Sequence, residues 1–159
     1  MSAFGNEAVW YLMRGSGVVS LLLLTGVMAL GIATFGGVRL GGMPRFATVA
    51  LHRSISLLSV VFIAVHVGTA VLDPYAAVDP VNALVPFTAA AKPLLVGLGA
   101  RAGDLMIALT VTGILRGRIG QRTWRAIHWG AYAMWPAAFI HAIGMGSDTS
   151  TLWGRALAA

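Results

Sequence analysis

Residues 15–38 read GSGVVSLLLLTGVMALGIATFGGV, twenty-four residues without a charge between Arg14 and Arg39. A membrane-spanning helix needs about 20 predominantly apolar residues, so this stretch can cross a bilayer with some tilt. A cleaved secretory signal carries its positive charge ahead of the apolar run. Here Glu7 and Arg14 precede the run, while Arg39 and Arg45 follow it. The stretch is therefore read as a retained helix, span one, over about 8–35.

Three more spans follow. Arg53 and Asp73 enclose 19 uncharged residues, and the Asp73-Pro74 pair stops the helix, because proline disfavours helical geometry in the residue before it. Span two is about 47–72. Residues 73–93, with Pro74, Pro80, Pro86 and Pro93, form the one long connection and are expected along the membrane surface. Span three, about 94–115, contains Arg101 and Asp104, which at i and i+3 can pair on one helix face near the interface. Arg125 and Asp148 enclose 22 uncharged residues and give span four, about 122–146. Gly26, Gly31 and the Gly99-x-x-x-Gly103 pair are read as packing features that allow close helix contact.

Composition agrees. Of 159 residues, 58% are hydrophobic and 10% charged, against about a quarter charged in soluble domains, and mean hydropathy is +0.83. The expected architecture is an all-α integral membrane protein, a single transmembrane domain over 1–159 built as a four-helix bundle. Four spans leave no room for a soluble catalytic domain. With no cysteine, disulfides, thiolate metal sites, iron–sulfur clusters and covalently attached haem are excluded.

The net charge of +6 would suggest nucleic acid in a soluble chain, but a basic stripe needs an exposed face. Alternating spans divide it differently. The one-two and three-four connections carry Arg39, Arg45, Arg53, Arg116, Arg118, Arg122 and Arg125, or +7, and the other side sums to −1. The positive-inside rule places the Arg-rich connections in the cytoplasm and the N and C termini with the long loop on the outer side of a cell inner (plasma) membrane.

All four histidines lie in spans two and four: His52 and His66 in one, His128 and His141 in the other. At 1.5 Å per residue the pairs are ~21 Å and ~20 Å apart along their axes, too far for one compact metal site. Because the spans run antiparallel, His52 and His128 share one depth and His66 and His141 the other. Singly, a histidine in a span reads as a packing residue or proton relay. Four matched in depth point to two sites, each with one histidine from each span. Two axial imidazoles with no open position describe a low-spin, non-covalent b-type haem that passes one electron. Fourteen residues return His66 to within about 40° of the face of His52, but thirteen leave His141 about 140° from that of His128. Span four must therefore be tightened or kinked, and Pro136, which removes the hydrogen bond to the Tyr132 carbonyl, is the expected place. Beyond the two histidines in each of these spans, no internal repeat stands out.

At this point the chain resembles the ferric reductase-like transmembrane domain family, which includes NADPH oxidases, iron and copper metalloreductases and bacterial haem subunits of the YedZ/MsrQ type. The histidine spacings carry the resemblance, with Leu51-His52-Arg53, Val85-Pro86-Phe87-Thr88, Gly97-Leu98-Gly99 and Trp124-Arg125-Ala126-Ile127-His128. It covers nearly the whole chain and is strongest with the small bacterial members. The resemblance implies two haems b stacked across the membrane and electron flow outward from the cytoplasmic side. Larger members add a flavin- and nicotinamide-binding domain. This sequence has no Gly-x-Gly-x-x-Gly to hold a dinucleotide phosphate, so the expected donor is another molecule. Where similar bacterial sequences carry Tyr-Arg-Pro, this chain has Ala91-Lys92-Pro93.

The expected ligands are His52 and His128 for an inner haem and His66 and His141 for an outer one. Haem propionates need cations: Arg53 and Arg125 are candidates inside, Lys92 and Arg101 outside, with anchoring to lipid phosphate the competing reading for each. Trp124 and Trp129 read as belt residues, and Trp135 as core filling or a contact between the porphyrins. The expected function is electron transfer from a cytoplasmic flavoprotein or quinol to ferric iron, oxygen or a partner redox protein, as the haem-containing membrane subunit of an oxidoreductase. A variant reading has the chain itself reduce a small substrate at the outer haem edge. The alternative from another class is a non-redox transporter or scaffold with a histidine proton path, poorly furnished because Asp104 is the one carboxylate inside a span.

Overall fold

A computed structural model describes residues 3–38, 40–76 and 78–146. Arg39, Asp148, Arg155, whose charge counts in the outer sum of −1, and both chain termini lie outside the described residues. The described residues are helical or irregular and contain no strand. Contacts divide the chain into two compact units, Met1–Ala76 and Ala77–Ala159.

The first unit is a helical hairpin. Helix α1 (Ala3–Phe35) ends where Gly37 turns to φ 69°, so that the Val38 N–H reaches back to the Ala33 carbonyl at 3.0 Å. This left-handed closure strongly favours glycine. A short 3₁₀ turn, Leu40–Gly42, leads to α2 (Arg45–Leu72), which stops at Asp73 in extended geometry, as the Asp73-Pro74 pair predicts. The Asp73 carboxylate then accepts from the Tyr75 N–H at 2.9 Å. Small side chains bring the helices close: Ser16, Ser20, Thr48 and Ser59 are all buried. Ser16 and Ser59 return their hydroxyls to carbonyls of their own helices, at Leu12 (2.6 Å) and Ile55 (2.8 Å).

The second unit begins with the outer connection. Asp79 caps the short helix α3 (Pro80–Leu84) by accepting from the Asn82 N–H. Phe87, at φ 69°, then lies against Gly97, where any Cβ would overlap its ring. Two of the family-like segments, Val85-Pro86-Phe87-Thr88 and Gly97-Leu98-Gly99, are thus two sides of one contact. Helix α4 (Pro93–Ile114) carries most of this unit's core, Val96, Ala100, Met106 and Leu109, with Met134 from the last helix. The sequence corresponding to span four is divided after a short α5 (Arg116–Ile119) into α6 (Gln121–His128) and α7 (Ala131–Met145).

Among the described residues, three helices are long and apolar enough to cross a membrane: Gly5–Phe35, Arg45–Leu72 and Pro93–Ile114. Large apolar side chains such as Leu22, Val61 and Ile107 stand exposed along them, as a hydrocarbon solvent permits. The Arg101–Asp104 pair forms at 3.9 Å on a solvent-accessible face of α4.

Candidate functional site

In the first unit both histidines of α2 point their Nδ1 at the backbone of α1. His66 Nδ1 lies 2.9 Å from the Met13 carbonyl oxygen and His52 Nδ1 lies 3.1 Å from that of Val27. A carbonyl can only accept, so Nδ1 carries the proton, and in a neutral imidazole the lone pair is then on Nε2. Each accepting carbonyl is followed four residues later by a glycine. In an α-helix the Cα–Cβ bond tilts towards the N-terminus, so a side chain four residues on would cover the approach to that carbonyl. A Cβ at Gly17 would stand 3.0 Å from the His66 ring, and one at Gly31 3.4 Å from the His52 ring.

The second unit repeats the device once. His141 Nδ1 donates to the Leu95 carbonyl at 2.7 Å, and a Cβ at Gly99, four residues on, would lie 2.6 Å from the ring. Gly144 comes so close to Leu95 that any side chain there would overlap it, which brings α7 down onto the carbonyl that holds His141. Gly113, fourteen residues after Gly99, meets nothing within 4 Å. His128 has a different neighbour: its ring stacks on Trp124, centroids 4.9 Å apart and planes 26° apart.

Gly31 and Gly99, expected as helix-packing residues, thus back histidine rings, and Gly17 joins them. Gly26 and Gly103 face open space. The signal in the sequence was the interval: Gly17 and Gly31 are fourteen residues apart, as are His52 and His66.

Span four is distorted, but six residues before Pro136. Trp129 and Gly130 separate α6 from α7, and tight hydrogen bonds run there from Gly130 N to Ile127 O (2.9 Å), Tyr132 N to Trp129 O and Ala133 N to Gly130 O (both 3.1 Å). These are i→i+3 bonds. Each residue wound at 3.0 rather than 3.6 per turn adds about 20°, so three of them remove about 60° of the ~140° mismatch between His128 and His141. The turn is close-packed at its glycine, where a Cβ would press on the Ile127 carbonyl at 3.0 Å. Pro136 lies inside α7.

Of the cationic candidates, Arg53 lines an open groove on α2 with Arg45, Phe46 and Val49, and Arg125 is exposed in the last turn of α6. Lys92 sits immediately before α4 in left-handed geometry, φ 46° and ψ 53°, and Arg101 is paired with Asp104. Trp135 stacks on Phe139 with centroids 5.1 Å apart.

The arrangement suits single imidazoles presented separately to a large planar ligand. Among the described residues no three histidine, aspartate or glutamate side chains gather around a position for a bare metal ion. Tied Nδ1 atoms fix the ring planes and put the lone pair of a neutral imidazole on Nε2, the usual support for a metal-bound histidine. The donor set therefore fits b-type haem. A family model described as ferric reductase like transmembrane component matches residues 16–145. No curated protein and no solved structure matches the chain.

Proposed function

The chain belongs to the ferric reductase-like transmembrane family, and on that premise we propose that it is a four-span dihaem cytochrome b that moves electrons across the plasma membrane. His52 and His128 ligate the inner haem, and His66 and His141 the outer. The observation that carries this reading is the shared treatment of three histidines, each with Nδ1 committed to a backbone carbonyl. The α6–α7 segment makes the fourth crossing, since Gln121 to Met145 meets the ~20-residue requirement. The termini lie outside and the Arg-rich connections in the cytoplasm.

Haem, when bound, would supply a one-electron carrier, and the four histidines would hold it. The chain's own residues hold and orient it. The carbonyls of Met13, Val27 and Leu95 fix the imidazole planes, and the glycines give the rings room. Arg53 and Arg125 offset the propionate charge inside, as Lys92 and Arg101 do outside. The donor is a separate flavoprotein or quinol. The acceptor, ferric iron, oxygen or a partner redox protein, takes its electron at the outer face.

Oriented vesicles test this reading, with a reduced flavin donor on the Arg-rich side and a ferric chelate on the other. Wild-type protein should reduce the chelate across the bilayer, and His66→Ala or His128→Ala should abolish it. Chelate reduction by haem-loaded wild type no faster than by protein-free vesicles would refute the proposal.

A further inference from the structure

Trp124 carries three features that the ligand ladder does not explain. It is four residues before His128 on α6, the interval at which helix side chains meet, and its indole stacks on the imidazole. A cation sits over the same indole: the Arg116 guanidinium carbon is 5.3 Å from the ring centroid, within cation–π range. Gly120 makes this approach possible, because φ 80° and ψ 155° is backbone that essentially only glycine adopts. Finally, the indole Nε1 is buried and finds no acceptor among the described residues.

That last feature separates Trp124 from an interfacial anchor, which keeps its N–H in the wet headgroup region. A buried N–H without an acceptor costs about 1–3 kcal/mol, and an orphaned donor beside a haem-ligand histidine suits an acceptor brought by the ligand. Haem carries two carboxylates.

We propose that Trp124 is a positioning residue of the inner haem: its indole seats the His128 imidazole by stacking, and its Nε1–H donates to a haem carboxylate. Arg116 holds the indole in place and, by drawing on its π-cloud, strengthens the N–H as a donor. His128 thus gains a side-chain support, while the Nδ1 atoms of His52, His66 and His141 meet backbone carbonyls. The proposal rests on the assignment of His128 to the inner haem.

The test compares Trp124→Phe, which keeps an aromatic face and loses the N–H, with Trp124→Leu, which loses both. Redox titration of the two haems should show one midpoint shifted in Trp124→Phe by about a tenfold change in its equilibrium, 59 mV for one electron, the other unmoved. In Trp124→Leu the low-spin ferric electron paramagnetic resonance signal of that same haem should also change, and in Trp124→Phe it should be retained. Two unshifted midpoints in Trp124→Phe with both haems bound would overturn the hydrogen bond. A second arm uses haem-free protein in nanodiscs, where the His128 ring protons should show an upfield ring-current shift that Trp124→Leu removes; its absence from wild type would overturn the stack. Wild type that takes up no haem would defeat the functional reading and the carboxylate contact together, whereas the ring-current arm reads the stack alone.

Discussion

The two units solve one problem with unequal regularity. In the first, α1 offers two seats of one kind, Met13 carbonyl with Gly17 and Val27 carbonyl with Gly31. The fourteen-residue interval on α1 matches that on α2, so two uninterrupted helices put both rings on one backbone. In the second unit α4 repeats the interval at Gly99 and Gly113, but the histidines are thirteen apart. One seat is kept, Leu95 with Gly99. At the other end the helix is broken at Trp129–Gly130 and His128 rests on Trp124. With a single residue fewer between the histidines, the His128 end of this unit shows a tightened turn and an aromatic support.

The largest break in this comparison comes from the ligands. On the proposed pairing, removing one imidazole would leave a haem with a single protein ligand, so His66→Ala and His141→Ala should each lower bound haem from two per chain to one and should affect the same spectral component. Loss of different components would undo the pairing. Next are the glycines, where crowding grades the expected damage. Gly99→Ala puts a methyl 2.6 Å from the His141 ring, Gly17→Ala 3.0 Å from His66 and Gly31→Ala 3.4 Å from His52. Disturbing a support of this kind typically costs 10–100-fold in metal affinity. Haem retention during dilution should follow that order, with Gly99→Ala at the severe end and Gly31→Ala close to wild type. A reversed order would show that the rings are not seated against these glycines.

A smaller effect is expected at the tight turn. Gly130→Ala meets the Ile127 carbonyl at 3.0 Å, and thermal unfolding should report a loss of about 1 kcal/mol, with the spectra of both haems touched because His128 and His141 flank the turn. The smallest concerns the Arg101–Asp104 pair, 3.9 Å long and well exposed. Asp104→Asn should change stability by no more than a few tenths of a kcal/mol.

Much of this was legible beforehand because hydrophobic runs and prolines act locally. The uncharged stretch around Leu21 to Leu24 becomes α1, and the Asp73-Pro74 stop ends α2 at Leu72. The histidines announced themselves as polar rings in apolar helices. Their supports did not, because a backbone acceptor such as the Leu95 carbonyl has no letter of its own and is visible only through the glycine four residues on. Angle arithmetic required a distortion in span four but not its position. Pro136 is the obvious helix breaker, yet the i→i+3 bonds gather at Trp129–Gly130, where a Cβ would press on the Ile127 carbonyl. Trp124 looked like any interfacial indole until its buried N–H and its stack on His128 were seen.

The central claim, that four histidines hold two haems, is tested most directly by a reduced-minus-oxidised spectrum of the purified protein with the haem counted per chain. The account predicts b-type α-bands and two haems per chain, falling to one in His66→Ala. A colourless, iron-free preparation of folded protein that takes up no added haem would contradict it.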